Sequence, residues 1–179
     1  MLEPSCPDHI TELAAKLTYR SILLIMFTID RDSITSAGTV YFPEEKYPFT
    51  RVSEPKNRGP LMAPRGKSSL LVEVPVEFGS VYSAEKKEKL VTEVRNKMTD
   101  IGWIKDKDII NIYFDLMDYA YPVLDTGYSA RVQEIMDYLS RFRNLFMSGR
   151  SGLFAYSHFH DMMDMGRKTA DEAIRSWKK

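Results

Sequence analysis

The chain has 179 residues, 44% hydrophobic and 28% charged, which supplies a packed core and argues against wholesale disorder. Lys and Arg together number 25, as do Asp and Glu, so no general positive field exists to hold a phosphate backbone, and nucleic acid is set aside as a partner. The longest apolar run, Ile22 to Phe27, is far too short to span a bilayer.

In chain order, residues 1–9 contain Pro4 and Pro7 and read as an irregular lead-in, followed by a short helix over Ile10 to Leu17. Ser21 to Ile29 is β-branched and apolar on both faces, the pattern of a buried strand. Thr39 to Phe42 and Phe49 to Ser53 are shorter strand candidates separated by turns at Pro43 and Pro48. Residues 55–67 hold three prolines, two glycines and several charges, the composition of a long loop of the kind that often carries function. Ser69 to Val76 is a strong strand.

Ser83 then stands where an N-cap belongs. Leu90, Val91, Val94, Met98 and Ile101 follow at helical spacing, and Gly102 takes the C-terminal cap position. Asp108 to Leu116 predicts another strand, broken at Ala120-Tyr121-Pro122. Val132, Ile135, Met136 and Leu139 mark a second amphipathic helix. Asn144 to Met147 predicts a very short apolar strand, running into the glycine turn Ser148-Gly149-Arg150-Ser151-Gly152. A last helix spans about His158 to Trp177, with Gly166, Ala170 and Ala173 as small residues on one side. The order implies an α+β fold: a substrate-binding-like domain over 10–142 with a mixed or antiparallel sheet, then a strand–turn–helix unit over 143–179.

Four groups of residues bear on chemistry. The two glycines of the turn let the backbone approach a ligand without a Cβ in the way, and Arg150 adds a fixed charge; an ordinary strand-to-helix turn has the same composition. In the segment Arg51 to Asn57, an extended strand puts Arg51 and Ser53 on one face, where an arginine can grip a diphosphate; solvated surface charges have the same pattern. Tyr41, Tyr119, Tyr121 and Tyr156 offer flat apolar bodies with a polar tip, and Pro122 holds Tyr121 extended. His158-Phe159-His160-Asp161 invites a metal reading, but on a helix the two histidines fall on different faces, and His158 with Asp161 gives too few ligands, so no metal is expected. No nucleophile paired with a base is visible, and no catalytic residue is assigned. Cys6 is the single cysteine; it excludes an internal disulfide and suits a reducing compartment. With no basic stretch before an apolar segment at the N-terminus, a cytoplasmic location is expected.

Taken in order, Arg51-x-x-Glu54-x-Lys56, Glu73-Val74-Pro75, Tyr121-Pro122-Val123 and Gly149-Arg150-x-Gly152-x-x-x-Tyr156 resemble the C-terminal half of UDP-galactopyranose mutase and its superfamily, which includes flavin amine oxidases and protoporphyrinogen-oxidase-like proteins. The resemblance runs from about Leu17 to Gly166. It implies FAD as the cofactor of the intact enzyme, a nucleotide sugar or other small-molecule substrate, and a place in polysaccharide or lipopolysaccharide biosynthesis. It places Gly149, Arg150 and Gly152 beside the ribityl and diphosphate part of the flavin, and Phe159, His160 and Asp161 near its ring. It places Arg51, Tyr121 and Tyr156 toward the substrate. The last strand–turn–helix would belong to the FAD-binding α/β domain. His160 departs from the acidic residue of the family pattern. The dinucleotide fingerprint Gly-x-Gly-x-x-Gly occurs nowhere in the sequence. The resemblance therefore implies a C-terminal portion of a flavin-dependent oxidoreductase or mutase, inactive and at most weakly FAD-binding alone, with a partner chain able to supply the other half. The alternative is a non-catalytic binding or oligomerisation module, its 144–147 strand pairing with another copy.

Overall fold

A computed structural model describes residue 3 and residues 5–177; the remainder of the expected lead-in lies outside them. The elements are α1 (Asp8–Ala15), β1 (Tyr19–Ile29), β2 (Thr39–Tyr41), β3 (Arg51–Ser53), β4 (Ser68–Glu77), α2 (Ala84–Asp100), β5 (Ile109–Pro122), α3 (Tyr128–Leu139), α4 (Gly149–Gly152) and α5 (Phe159–Trp177). The class is α+β, with one five-stranded antiparallel sheet in the order β2-β3-β4-β1-β5. The chain forms two compact units, residues 21–118 and residues 1–20 with 119–179. The division falls inside β1 and β5.

In the 21–118 unit the core follows the period of two that a pleated strand imposes. Leu23, Ile25, Phe27 and Ile29 of β1 are fully buried, as are Leu70 and Val72 of β4, with Phe49, Val52, Val94, Met98 and Ile104 completing the cluster. The other face of β1, carrying Leu24, Met26 and Thr28, is only partly covered. Ile22, on that same face, is buried, so the strand expected to be buried is fully so on the α2 side and partly so on the other. Helix α2 begins as the sequence predicts, with Lys86 N–H donating to the Ser83 hydroxyl at 3.3 Å. It ends in a Schellman arrangement: Gly102 adopts φ +78°, and Trp103 N–H reaches Met98 O at 3.0 Å. Strand β5 runs unbroken through Tyr121 to Pro122, past the break expected at 120–122. Pro122 is its last residue, so the missing N–H costs the ladder nothing further along.

In the other unit, α1 packs against α3, burying Ile10 and Tyr138. Burial pushes the Tyr138 hydroxyl above its ordinary pKa, and the neighbouring Cys6 adds to the rise. Residues 144–147 form no strand; Leu145 N–H turns back to Phe142 O at 3.3 Å. Four apolar residues without a strand partner cannot satisfy their backbone in a ladder, and the segment takes turns instead. Helix α5 is amphipathic, yet none of its described residues is buried.

Candidate functional site

The site assembles around Arg150. Its guanidinium carbon lies 4.5 Å from the centroid of the Tyr121 ring and 4.7 Å from that of Tyr156. The two rings are themselves near-parallel, 25° apart with centroids at 5.9 Å. The cation thus rests over two π faces, a favourable arrangement once water is excluded. Nε and Nη2 of Arg150 are buried and have no hydrogen-bond partner among the described residues. These two nitrogens form the side-on edge with which arginine grips a carboxylate or phosphate in bidentate fashion. Buried donors without acceptors are costly, and a native structure holds few of them.

The backbone shows how the arginine is placed. Gly149 adopts φ +74°, a conformation in which a Cβ would be strained, and turns the chain into the short α4. Leu153 N–H donates to Gly149 O at 3.0 Å, and Ala155 N–H to Arg150 O at 3.0 Å, so the chain folds back over the arginine and delivers Tyr156 to its face.

Among the described residues, two other than glycine have positive φ, Tyr119 at 55° and Phe154 at 47°. Each lies two residues before a tyrosine of the pair: Tyr119-Ala120-Tyr121 and Phe154-Ala155-Tyr156 are the same aromatic–alanine–tyrosine triplet. Both strained residues rest edge-on against one ring, with Tyr19 5.1 Å from Tyr119 and 5.1 Å from Phe154. Bulky residues in the left-handed region cost on the order of 1–3 kcal/mol each and persist where the surroundings fix them, as ligand clamps do. Burial, and then Tyr119, raises the pKa of the Tyr19 hydroxyl, which stays neutral. Sequence reasoning singled out Arg150, Tyr121 and Tyr156 but missed Tyr19 and Phe154 as their supports; the repeated triplet was the available signal.

Of the other expected residues, Gly149 and Gly152 lie in α4, and Phe159, His160 and Asp161 open α5. Phe159, His160 and Asp161 form the first turn of α5, where the Asp161 carboxylate accepts the His158 N–H at 3.0 Å as a cap. The helix starts only at Phe159, so the expectation that His158 and His160 diverge is corrected: their rings stack at 5.7 Å with 8° between planes. Among the described residues no three metal-ligating side chains gather.

Arg51 lies in the 21–118 unit, directly opposite Glu73 across β3 and β4, and its Nη2 pairs with the Glu73 carboxylate. The neighbouring motif residues are structural. Glu54 is 1% exposed and accepts from Ile34 N–H (3.0 Å), Thr35 N–H (2.7 Å), the Asn57 amide (3.2 Å) and the Ser68 hydroxyl (2.6 Å). Lys56 donates to Asp32 O at 2.8 Å, to Lys67 O at 3.0 Å and to the Asp32 carboxylate. That contact, with help from Gly66 N–H, holds the Asp32 carboxyl below the usual range.

No protein-family model matches the chain, and no curated protein matches it significantly. Solved structures do share its fold. A reduced UDP-galactopyranose mutase superposes with a TM-score of 0.66 over 79% of this chain and 30% of the mutase, at 22% identity. A putative protoporphyrinogen oxidase from Exiguobacterium sp. 255-15 superposes with a TM-score of 0.67 over 96% of this chain and 37% of that protein, at 14% identity. The chain therefore spans about a third of the length of each and has the fold of that part. No helix among the described residues is long and apolar enough to cross a membrane.

Proposed function

We propose that this chain is the substrate-side and closing portion of a flavin-dependent oxidoreductase or mutase, and that Arg150 with Tyr121 and Tyr156 receives an oxyanion of the cofactor or of a nucleotide-sugar substrate. The observation that carries this reading is the buried side-on edge of Arg150, two donors without acceptors held over two tyrosine rings. A diphosphate oxygen pair matches that edge in charge and spacing, and the ring faces suit a sugar or a flat ring. FAD fits this residue set in chemical type. When bound, the flavin supplies the redox or nucleophilic chemistry, and the chain binds, orients and excludes water. Gly149 and Gly152 shape the turn. Phe159, His160 and Asp161 are proposed to face the flavin ring with their backbone, and Arg51, already paired with Glu73, to act on the substrate side. The missing Gly-x-Gly-x-x-Gly half is assigned to a further segment or a partner chain, and a role in polysaccharide biosynthesis in the cytoplasm fits the resemblance and the free thiol of Cys6.

Calorimetric titration of the chain with inorganic pyrophosphate and with UDP tests this. Binding weakened at least about tenfold by Arg150→Met is expected, since a charge-assisted bidentate pair is worth about 1.5–3 kcal/mol. Equal affinity in the variant overturns the assignment. Stoichiometric FAD absorbance co-purifying with this chain alone would contradict the need for another half.

A second reading, a binding or oligomerisation module, is favoured by α5. Phe159, Met163, Ile174 and Trp177 lie exposed along it at helical spacing. Sedimentation showing self-association that Met163→Ser with Ile174→Ser abolishes supports that reading; a monomer at all concentrations removes it.

A further inference from the structure

We propose that the loop between β3 and β4 is a docking tip for an anionic membrane surface. Residues 55–67 contain Lys56, Arg58, Arg65 and Lys67 and no acidic residue, in a chain that has 25 cations and 25 carboxylates in all. At the surface, two of these cations meet carboxylates: Lys56 pairs with Asp32, and Lys67 with Asp30 at 2.7 Å. Arg58 bonds the Thr39 hydroxyl, a neutral partner, and Arg65 adds to the field that lowers the Asp32 carboxyl. Glu54 is buried beneath the loop, so about two positive charges face outward.

Between the arginines stands an apolar tip. Leu61 is 97% exposed and Met62 63% exposed, with Pro60 and Pro64 open beside them. A leucine this exposed gains nothing from its own chain, and water disfavours it there. The tip is also rigidly based. Glu54, Lys56 and Asn57 tie the loop to residues 32–37 through the bonds described above and two more from the Asn57 amide, to Thr35 O at 2.9 Å and Ala37 O at 3.0 Å. Docking then requires little ordering of the loop. A projecting apolar pair flanked by arginines is complementary to a bilayer interface: Leu61 and Met62 enter the acyl boundary while the guanidinium heads stay with the phosphates. Anionic headgroups supply the charge that Arg58 and Arg65 lack. A bilayer needs no shaped pocket to receive so exposed a side chain, which favours it over an acidic protein groove. Contact of this kind is peripheral.

The test is flotation of the full chain with vesicles of phosphatidylcholine alone and with vesicles enriched in phosphatidylglycerol. The expected result is binding to the enriched vesicles only, weakening as salt rises. Arg58→Gln and Arg65→Gln are each expected to lower partitioning roughly fivefold. Leu61→Ser with Met62→Ser abolishes it, with an unchanged circular dichroism spectrum. No binding to enriched vesicles overturns the proposal. So does binding that survives Leu61→Ser with Met62→Ser, or that is lost instead on Met163→Ser with Ile174→Ser in α5. A photo-crosslinker at position 61 that captures a protein while vesicles fail to bind overturns it in favour of a protein partner.

Discussion

Two irregular segments of this chain handle their polar groups in opposite ways. Around Glu54 and Lys56, each carboxylate oxygen accepts two hydrogen bonds and the ammonium uses three, with every residue outside the left-handed region except Gly66. Around Arg150, two buried donors have no acceptor, and the chain holds Phe154 in a strained conformation. The first arrangement is complete within the protein. The second is stable only because packing fixes it, and it presents chemistry that a ligand would complete. A charged residue in a motif is therefore not evidence of a site; whether its partners are already in place decides.

The largest expected effect belongs to the complete network. Glu54→Leu leaves the Ile34 and Thr35 N–H groups and the Ser68 hydroxyl without acceptors, and should cost about 3–5 kcal/mol in urea unfolding, or prevent folding. A loss below about 1 kcal/mol would erase the contrast. Next comes Phe154, 4% exposed between Tyr19 and Tyr128. Both Phe154→Ala and Phe154→Gly lose the ring, at about 3–5 kcal/mol. Glycine relieves the positive φ, so the Gly variant should be the more stable of the two by about 1 kcal/mol; the reverse order in thermal melts would show that no strain is stored there. Arg150→Met should move stability by only about 1 kcal/mol, because the relief of two unbonded donors is set against the loss of its contacts with the two tyrosine faces. A large destabilisation would place Arg150 with the structural charges.

The smallest effect is the pH response at Asp32. Its folded pKa is depressed by the Lys56 hydrogen bond first. Its contribution is therefore present above the ordinary carboxylate range and is lost as pH falls through the lowered value. Lys56→Met should shift the Asp32 titration, read by carbon NMR, back toward the ordinary value.

Much of the fold was legible because its signals are local. The period-two alternation in β4, the Ser83 cap and Gly102 each specify their conformation within a few residues. Residues 144–147 misled because a strand exists only if a neighbour pairs with it, and no window of sequence shows the neighbour. Arg150, Tyr121 and Tyr156 were legible as candidates by resemblance, but Tyr19 was not, because its role comes from two contacts with residues about a hundred or more positions away.

Tyr19 meets both strained residues, and each of those leads by two positions to one of the tyrosine faces under Arg150. The two jaws of the clamp thus share a single pivot. A displacement of one triplet is then expected to reach the other through Tyr19, and a ligand at Arg150, as proposed, would draw on both triplets at once. Trimming the pivot, as in Tyr19→Ala, should release the jaws together, visible as simultaneous broadening of the Tyr121 and Tyr156 ring resonances rather than loss of one after the other.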